Sequence, residues 1–300
     1  MAELSVGDDE IYRIYRDLIE DISIREEKHR DEIPIEGTAE LPTHLDDIVN
    51  DWETGRKSLR TVPVANVYAE EFERSLEESV LRTLTGLDAT VNVLDDIIDS
   101  QSPTPESRVR LTVNAAFSSV LVAENLPTEN RDQANDLLRQ YFTALFQIPL
   151  VERRLFDEMK AVASDPEREA AAVKSYSYRA RDIDIFARLP AISSGVEPDT
   201  EQRLVQDLRT YRARRLLFKD IYDVPRDLSD GDITPIIHVL RNGRSVDETV
   251  ETIERIYAEF EYTNKGIQQY GSILKHLEGI PSDINTLLQG AKRTVMEYSD

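Results

Sequence analysis

The sequence predicts an all-α protein, a single-domain bundle of long antiparallel helices. Three observations carry that expectation. Apolar residues recur at helical spacing along most of the 300 residues. Alternating Val/Ile/Thr runs and hairpin dipeptides are nearly absent, SDGDI near 230 apart. The periodic segments are separated by short Pro-, Gly- and Ser-bearing breaks, with no linker long enough to split domains.

Residues 8–30 read as an amphipathic helix with Ile11, Ile14, Tyr15, Leu18 and Ile22 on one face. A Pro-bearing stretch from Ile33 to Pro42 follows, so 1–42 is expected to be a helix and linker, and 43–300 the helical domain. Further helices are predicted over 45–55, 61–72, 74–100, 106–124, 130–163, 167–188, 200–226, 232–241, 246–276 and 281–298. The stops between them are SPTP at 102–105, LPTEN at 126–130, SDP at 164–166, SSGVEPD at 193–199 and GIPSD at 279–283. Pro225 is expected to bend or end its helix.

With 40% hydrophobic residues the chain has ample material for a core. No apolar run reaches membrane-spanning length, and MAELSVGDDE is neither a basic nor an apolar targeting segment, so a soluble cytoplasmic protein is expected. The absence of cysteine rules out disulfides and thiolate metal sites, and the four histidines show no ligand spacing. A net charge of −22 argues against nucleic-acid binding, which needs basic patches. Acidic residues dispersed along the chain, with few lysines, suggest a protein adapted to high salt, where screening relieves self-repulsion. A lone acid therefore says little here; acids at special spacing in apolar surroundings say more.

TGLDATVNVLDDIIDSQ at 85–101 is such a place. In a helix, Asp88, Asp95 and Asp99 fall at i, i+7 and i+11 and share a face, while no Lys or Arg occurs between Arg82 and Arg108. LLFKDIYDVPRD supplies a second set, with Asp220, Asp223 and Asp227 at i, i+3 and i+7 among Leu216, Leu217, Phe218, Ile221 and Tyr222. Two carboxylate clusters on apolar helices suit a hard, oxygen-seeking cation, chiefly Mg²⁺, which usually completes its shell with water and substrate phosphate. Arg179, Arg181, Arg212, Arg215 and Lys219 are available to a phosphate. The alternative is that each cluster is a solvated face of an acidic protein.

Taken together these segments resemble the trans-polyprenyl diphosphate synthase family of the isoprenoid synthase fold, as a divergent member from a salt-loving archaeon. DDIID at 95–99 matches that family's DDxxD motif, and KDIYD at 219–223 with the following DVPRDLSDGDITPI resembles its second motif. GRKSLRT at 55–61 resembles GGKRLRP, and YRARDIDIFARLP at 178–190 resembles the segment that meets the allylic diphosphate. The resemblance covers about residues 45 to 290 and implies a bundle around a central apolar cavity. It gives Asp95, Asp96 and Asp99 to Mg²⁺ on one side and Asp220, Asp223 and Asp227 on the other. Lys57 and Arg60 would meet isopentenyl diphosphate, Arg181 the allylic diphosphate, and Arg108 or Arg110 phosphate. The departures are Arg56 for a Gly, Ser58 for an Arg, Lys219 for an Asp and Asp232 for a Lys.

The implied reaction is Mg²⁺-assisted ionisation of an allylic prenyl diphosphate, then condensation with isopentenyl diphosphate, in a chain expected to be a homodimer without membrane insertion. Val91 and Thr90, four and five residues before DDIID, with Ser118 and Ser119, imply a C20 or longer substrate or product. The alternatives are a terpene cyclase or head-to-head condensing enzyme of the same fold, and a non-catalytic subunit of a heteromeric synthase.

Overall fold

The computed structural model describes residues 13–14, 16–17, 20–21, 24, 59–72, 75–99, 105–161, 164–231, 234–241, 245–262 and 284–297. Their regular structure is helical, with no strand among them. The helices are α1 (Thr61–Phe72), α2 (Glu78–Asp99), α3 (Pro105–Asn125), α4 (Arg131–Ala161), α5 (Asp165–Arg179), α6 (Asp184–Ser194), α7 (Pro198–Asp230), α8 (Pro235–Arg241), α9 (Val246–Ala258) and α10 (Ile284–Glu297). A 3₁₀ turn, Ala180–Ile183, links α5 to α6. The described residues between 13 and 24 are helical with Ile14 buried; the helix expected over 45–55 lies outside the described residues. The chain divides into two compact units, 1–136 with 189–195, and 137–188 with 196–300.

In the first unit α2 is the central element. From Val80 to Val93 it buries almost its whole circumference, as a helix surrounded by others must. It runs antiparallel to α3: the Thr83 hydroxyl donates to the Asn125 carbonyl at 2.8 Å, and one turn on, Gly86 faces Val122. A Cβ at Gly86 would lie 3.0 Å from a Val122 methyl, so the glycine is what lets the two helices approach.

In the second unit α7 is the long element against which α5, the 3₁₀ turn, α8 and α10 pack. Pro198 opens it and Gly231, at φ 78°, closes it in the left-handed conformation that glycine adopts without strain. The expectation that Pro225 ends this helix is corrected: α7 continues through it to Asp230. Pro225 is exposed while its neighbours Val224 and Leu228 are buried, so the disrupted backbone bond faces water and core packing carries the helix on. SDGDI, the strongest hairpin signal, begins in the last turn of α7 and supplies its Gly231 cap. The helix expected over 167–188 is broken by the 3₁₀ turn, and the one over 246–276 has its described part end at Ala258, before Phe260. A Ser245–Glu248 capping box starts that helix. Arg214 holds its far end, lying between the rings of Tyr257 and Tyr262 at 4.2 and 4.7 Å and donating to the Phe260 carbonyl.

Among the described residues no helix is long and apolar enough to cross a membrane. Replacing Gly86 by Val puts branched methyls where Val122 already stands. Denaturant unfolding of Gly86→Val is expected to show a loss of roughly 1–3 kcal/mol against the wild type.

Candidate functional site

Among the described residues, both units bury charged side chains. Among the described residues of the first unit the buried acid is Asp88, on the central helix α2. Its carboxylate is 0% exposed and has four donors. Oδ1 accepts from the backbone N–H of Arg60 at 2.9 Å and from the Arg60 guanidinium at 3.3 Å. Oδ2 accepts from the Thr61 N–H at 2.9 Å and the Thr61 hydroxyl at 2.7 Å. Asp88 is therefore a cap supplied from a neighbouring helix: it satisfies amides at the start of α1 and places a negative charge at the positive end of that helix. Burial pushes the Asp88 carboxyl up, while Arg60 and the Thr61 donors pull it down. Arg60 is buried against it, its side chain 7% exposed.

The same face of α2 continues toward DDIID. Asn92, one turn beyond Asp88, is buried, and its amide nitrogen has no hydrogen-bond acceptor. Thr90 and Val91 are closed from solvent, as is Ser118, and the Thr90 hydroxyl is turned back onto the Gly86 carbonyl at 2.9 Å. Helix α2 extends through Asp99, so the backbone sets Asp95 and Asp99 one turn apart on the face that holds Asp88. The side chains of Asp95, Asp96 and Asp99 lie outside the described residues, as do those of Arg108 and Arg110 on α3, and Lys57 and Asp232 altogether.

In the second unit the three aspartates of the second cluster are all helical, because α7 runs past Pro225. Asp220 is buried and held by two residues of α5. The Arg179 guanidinium grips both its oxygens, at 2.6 and 3.2 Å, and the Tyr176 hydroxyl donates to one at 3.0 Å. Arg179 is shared with Glu152 of α4 at 3.1 Å and lies over the Tyr176 ring. Burial and the Asp220 charge push the Tyr176 phenol well up, so it remains a donor to the carboxylate. One turn further along, Asp223 meets Arg226 at 2.8 Å and Lys219 at 3.9 Å. Asp227 meets the same Arg226 at 3.1 Å. Burial raises the Asp227 carboxyl to about 6, against the pull of Arg226.

The basic residues that sequence offered to a phosphate are divided by the 3₁₀ turn. Arg179 points inward to Asp220; two residues on, Arg181 is exposed, its guanidinium over the Tyr178 ring. Arg212 forms a double hydrogen bond with Asp182, at 3.0 and 2.7 Å, and Arg215 is exposed. The backbone carbonyl of Asp182 accepts from the Tyr141 hydroxyl at 2.9 Å, so both ends of this residue brace the turn that carries Arg181. Sequence reasoning missed the partners that matter most here: Asp88 with Arg60, and Glu152 and Tyr176 around Arg179. The contacts that join helices have no local signature: Arg60 and Asp88 lie 28 residues apart, Tyr176 and Asp220 lie 44 apart, and Glu152 and Arg179 are on different helices.

Among the described residues no group of three or more His, Asp or Glu side chains stands ready to hold a metal ion. At the second cluster the reason is visible. Asp220, Asp223 and Asp227 each face a cation of the protein, Arg179, Lys219 or Arg226, so the arrangement does not fit a carboxylate cage for Mg²⁺. The donor set of DDIID, hard oxygens only, does suit that ion.

No protein-family model matches the chain, and no curated protein sequence matches it significantly. Solved structures do. A candidate geranylgeranyl pyrophosphate synthase from Corynebacterium glutamicum superposes with a TM-score of 0.56 at 14% identity, over 100% of this chain and 91% of that one. The heptaprenyl diphosphate synthase of Staphylococcus aureus superposes with a TM-score of 0.50 at 15% identity, over 97% of this chain and 88% of that one. The chain has the isoprenyl diphosphate synthase fold. At such identity the likeness concerns the fold, and the chemistry must be argued from the residues.

Removing a partner from the two buried sets should be costly. Asp88→Ala and Asp220→Ala are each expected to lower unfolding stability by about 3 kcal/mol, since Arg60 or Arg179 is left without its main counter-charge. Asp223→Ala, whose partners are exposed, is expected to change it by less than about 1 kcal/mol in the same chemical denaturation series.

Proposed function

We propose that the chain is a class I isoprenoid synthase that ionises an allylic prenyl diphosphate. One observation carries this reading. Within the isoprenyl diphosphate synthase fold, a buried central helix ends in DDIID, three acids in its last turns with no basic residue between Arg82 and Arg108. A run of acids that has no Lys or Arg within twelve residues before it in sequence suits an external cation. Mg²⁺ held through Asp95, Asp96 and Asp99 would neutralise charge on the departing diphosphate. Arg181 is the exposed guanidinium of the described site segment and is assigned to the same diphosphate. Lys219 and Arg226, with side chains 54% and 60% exposed beside Asp223, offer further positive charge on the second cluster. Condensation with isopentenyl diphosphate is the extension that GRKSLRT implies, through Lys57 and Arg60. We also propose that the protein works at high salt, which the charge of −22 supports.

A second reading, a non-catalytic subunit of a heteromeric synthase, draws on the internally neutralised second cluster. A single assay separates the two. Pyrophosphate release from C10, C15 and C20 allylic diphosphates is followed in molar KCl with MgCl₂. The synthase reading expects release that chelation abolishes and added Mg²⁺ restores, and that Asp95→Asn or Asp99→Asn lowers on the order of 100-fold. Release from no substrate, with no thermal stabilisation by an allylic diphosphate analogue, would favour the subunit.

A further inference from the structure

Helix α2 buries Thr83, Thr85, Asp88 and Thr90, and each of these polar side chains has its hydrogen-bond partner. Asn92 breaks that rule. It is 7% exposed, and its amide nitrogen meets no acceptor, an arrangement that destabilises the fold. One turn back on the same face stands Asp88, whose two oxygens already take four donors. Ala89, the other position a turn back, has no side-chain acceptor. Three and four residues ahead come Asp95 and Asp96 of DDIID, the positions next on this face. Asn92 thus carries a spare donor between a filled carboxylate and the acids to which Mg²⁺ is assigned.

Its place along the helix decides what that donor would meet. Phosphate oxygens held through DDIID lie at the end of α2, whereas a prenyl chain leads away from them into apolar surroundings. Those surroundings run from Val93 back to Val80, where α2 is buried on almost all sides. A position one turn, about 5 Å, back from DDIID stands at the border of the two, level with the ester oxygen that joins the chain to phosphorus. A neutral amide suits that border, since it donates without adding a charge that burial would penalise.

We infer that Asn92 is a further catalytic residue, its amide N–H donating to the ester oxygen of the allylic diphosphate. The inference rests on the synthase reading above for the identity of the substrate. When the allylic C–O bond breaks, its electron pair stays on that oxygen, which becomes an anionic oxygen of pyrophosphate. The Asn92 hydrogen bond strengthens as this charge develops, and no proton is transferred. The allylic cation is consumed in the condensation with isopentenyl diphosphate, and the proton lost there goes to the released pyrophosphate. The acceptor that Asn92 lacks within the chain is then supplied by the substrate.

The test compares the full chain with Asn92→Leu in molar KCl with MgCl₂; Asn92→Ala takes its place where the leucine variant does not fold. Chemical denaturation of Asn92→Leu is expected at an unchanged or higher midpoint, because an unpaired buried donor is removed. Its kcat for pyrophosphate release is expected to fall on the order of 100-fold, with KM nearly unchanged, as for a donor used mainly in the transition state. Calorimetry should show inorganic pyrophosphate, which carries the anionic oxygen, binding the variant about tenfold more weakly than the wild type. An allylic thiolodiphosphate, with sulfur in place of the ester oxygen, should bind both equally, since sulfur is a weak acceptor. Wild-type kcat in a folded variant overturns the inference. So does an equal loss of affinity for pyrophosphate and thiolodiphosphate, which would place the damage in the metal-binding acids. Collapse of the fold in both variants marks Asn92 as a core residue and overturns it too. Should the wild type release pyrophosphate from no allylic substrate, the synthase reading falls, while the pyrophosphate titrations still decide whether Asn92 donates to a diphosphate.

Discussion

A carboxylate removed from water has to be matched by donors and a counter-charge, and this requirement organises both units. Asp88 in the first unit and Asp220 in the second are buried acids, each joined to an arginine more than 25 residues away in sequence. Without Asp88 the first amides of α1 would lose the carboxylate that accepts from them, and the buried Arg60 would lose that counter-charge. Without Arg179, Asp220 and Glu152 would face each other as like charges, with Tyr176 the remaining donor to Asp220. In a chain of net charge −22 such pairing is harder to arrange than usual, since cations are the scarce partner.

The consequence for function is that the distribution of cations matters more than the distribution of acids. Acids are everywhere in this sequence, and most of those described are exposed. Arg60, Arg179 and Arg212 are committed to internal acids, whereas Arg181 and Arg215 are exposed. The 3₁₀ turn is what separates Arg179 from Arg181. It breaks the helical phase that would otherwise carry α5 directly into α6, and Asp182 anchors it through Arg212 and Tyr141. A metal-assisted reaction in this chain would therefore lean on DDIID more than on the second cluster, whose aspartates already face protein cations.

Sequence by itself determined the all-helical class, because helical periodicity is a local property carried by every segment, and strand signals were absent. It also determined the span of α1 to the residue, and the last helical residue of α2 to within one position. It placed both aspartate clusters on helices, and Asp220, Asp223 and Asp227 on one face. The end of α7 was not legible, since a proline's local effect was outweighed by burial of Val224 and Leu228, and that balance depends on what packs there. Nor was the fate of Arg60 legible. GRKSLRT reads as a basic stretch, and only the approach of α1 to α2 showed that its last arginine turns inward to Asp88. Spacing within a helix determines which residues share a face; which charge meets which across helices is decided by tertiary contacts, because a buried ion pair is set by distances that the local sequence does not encode.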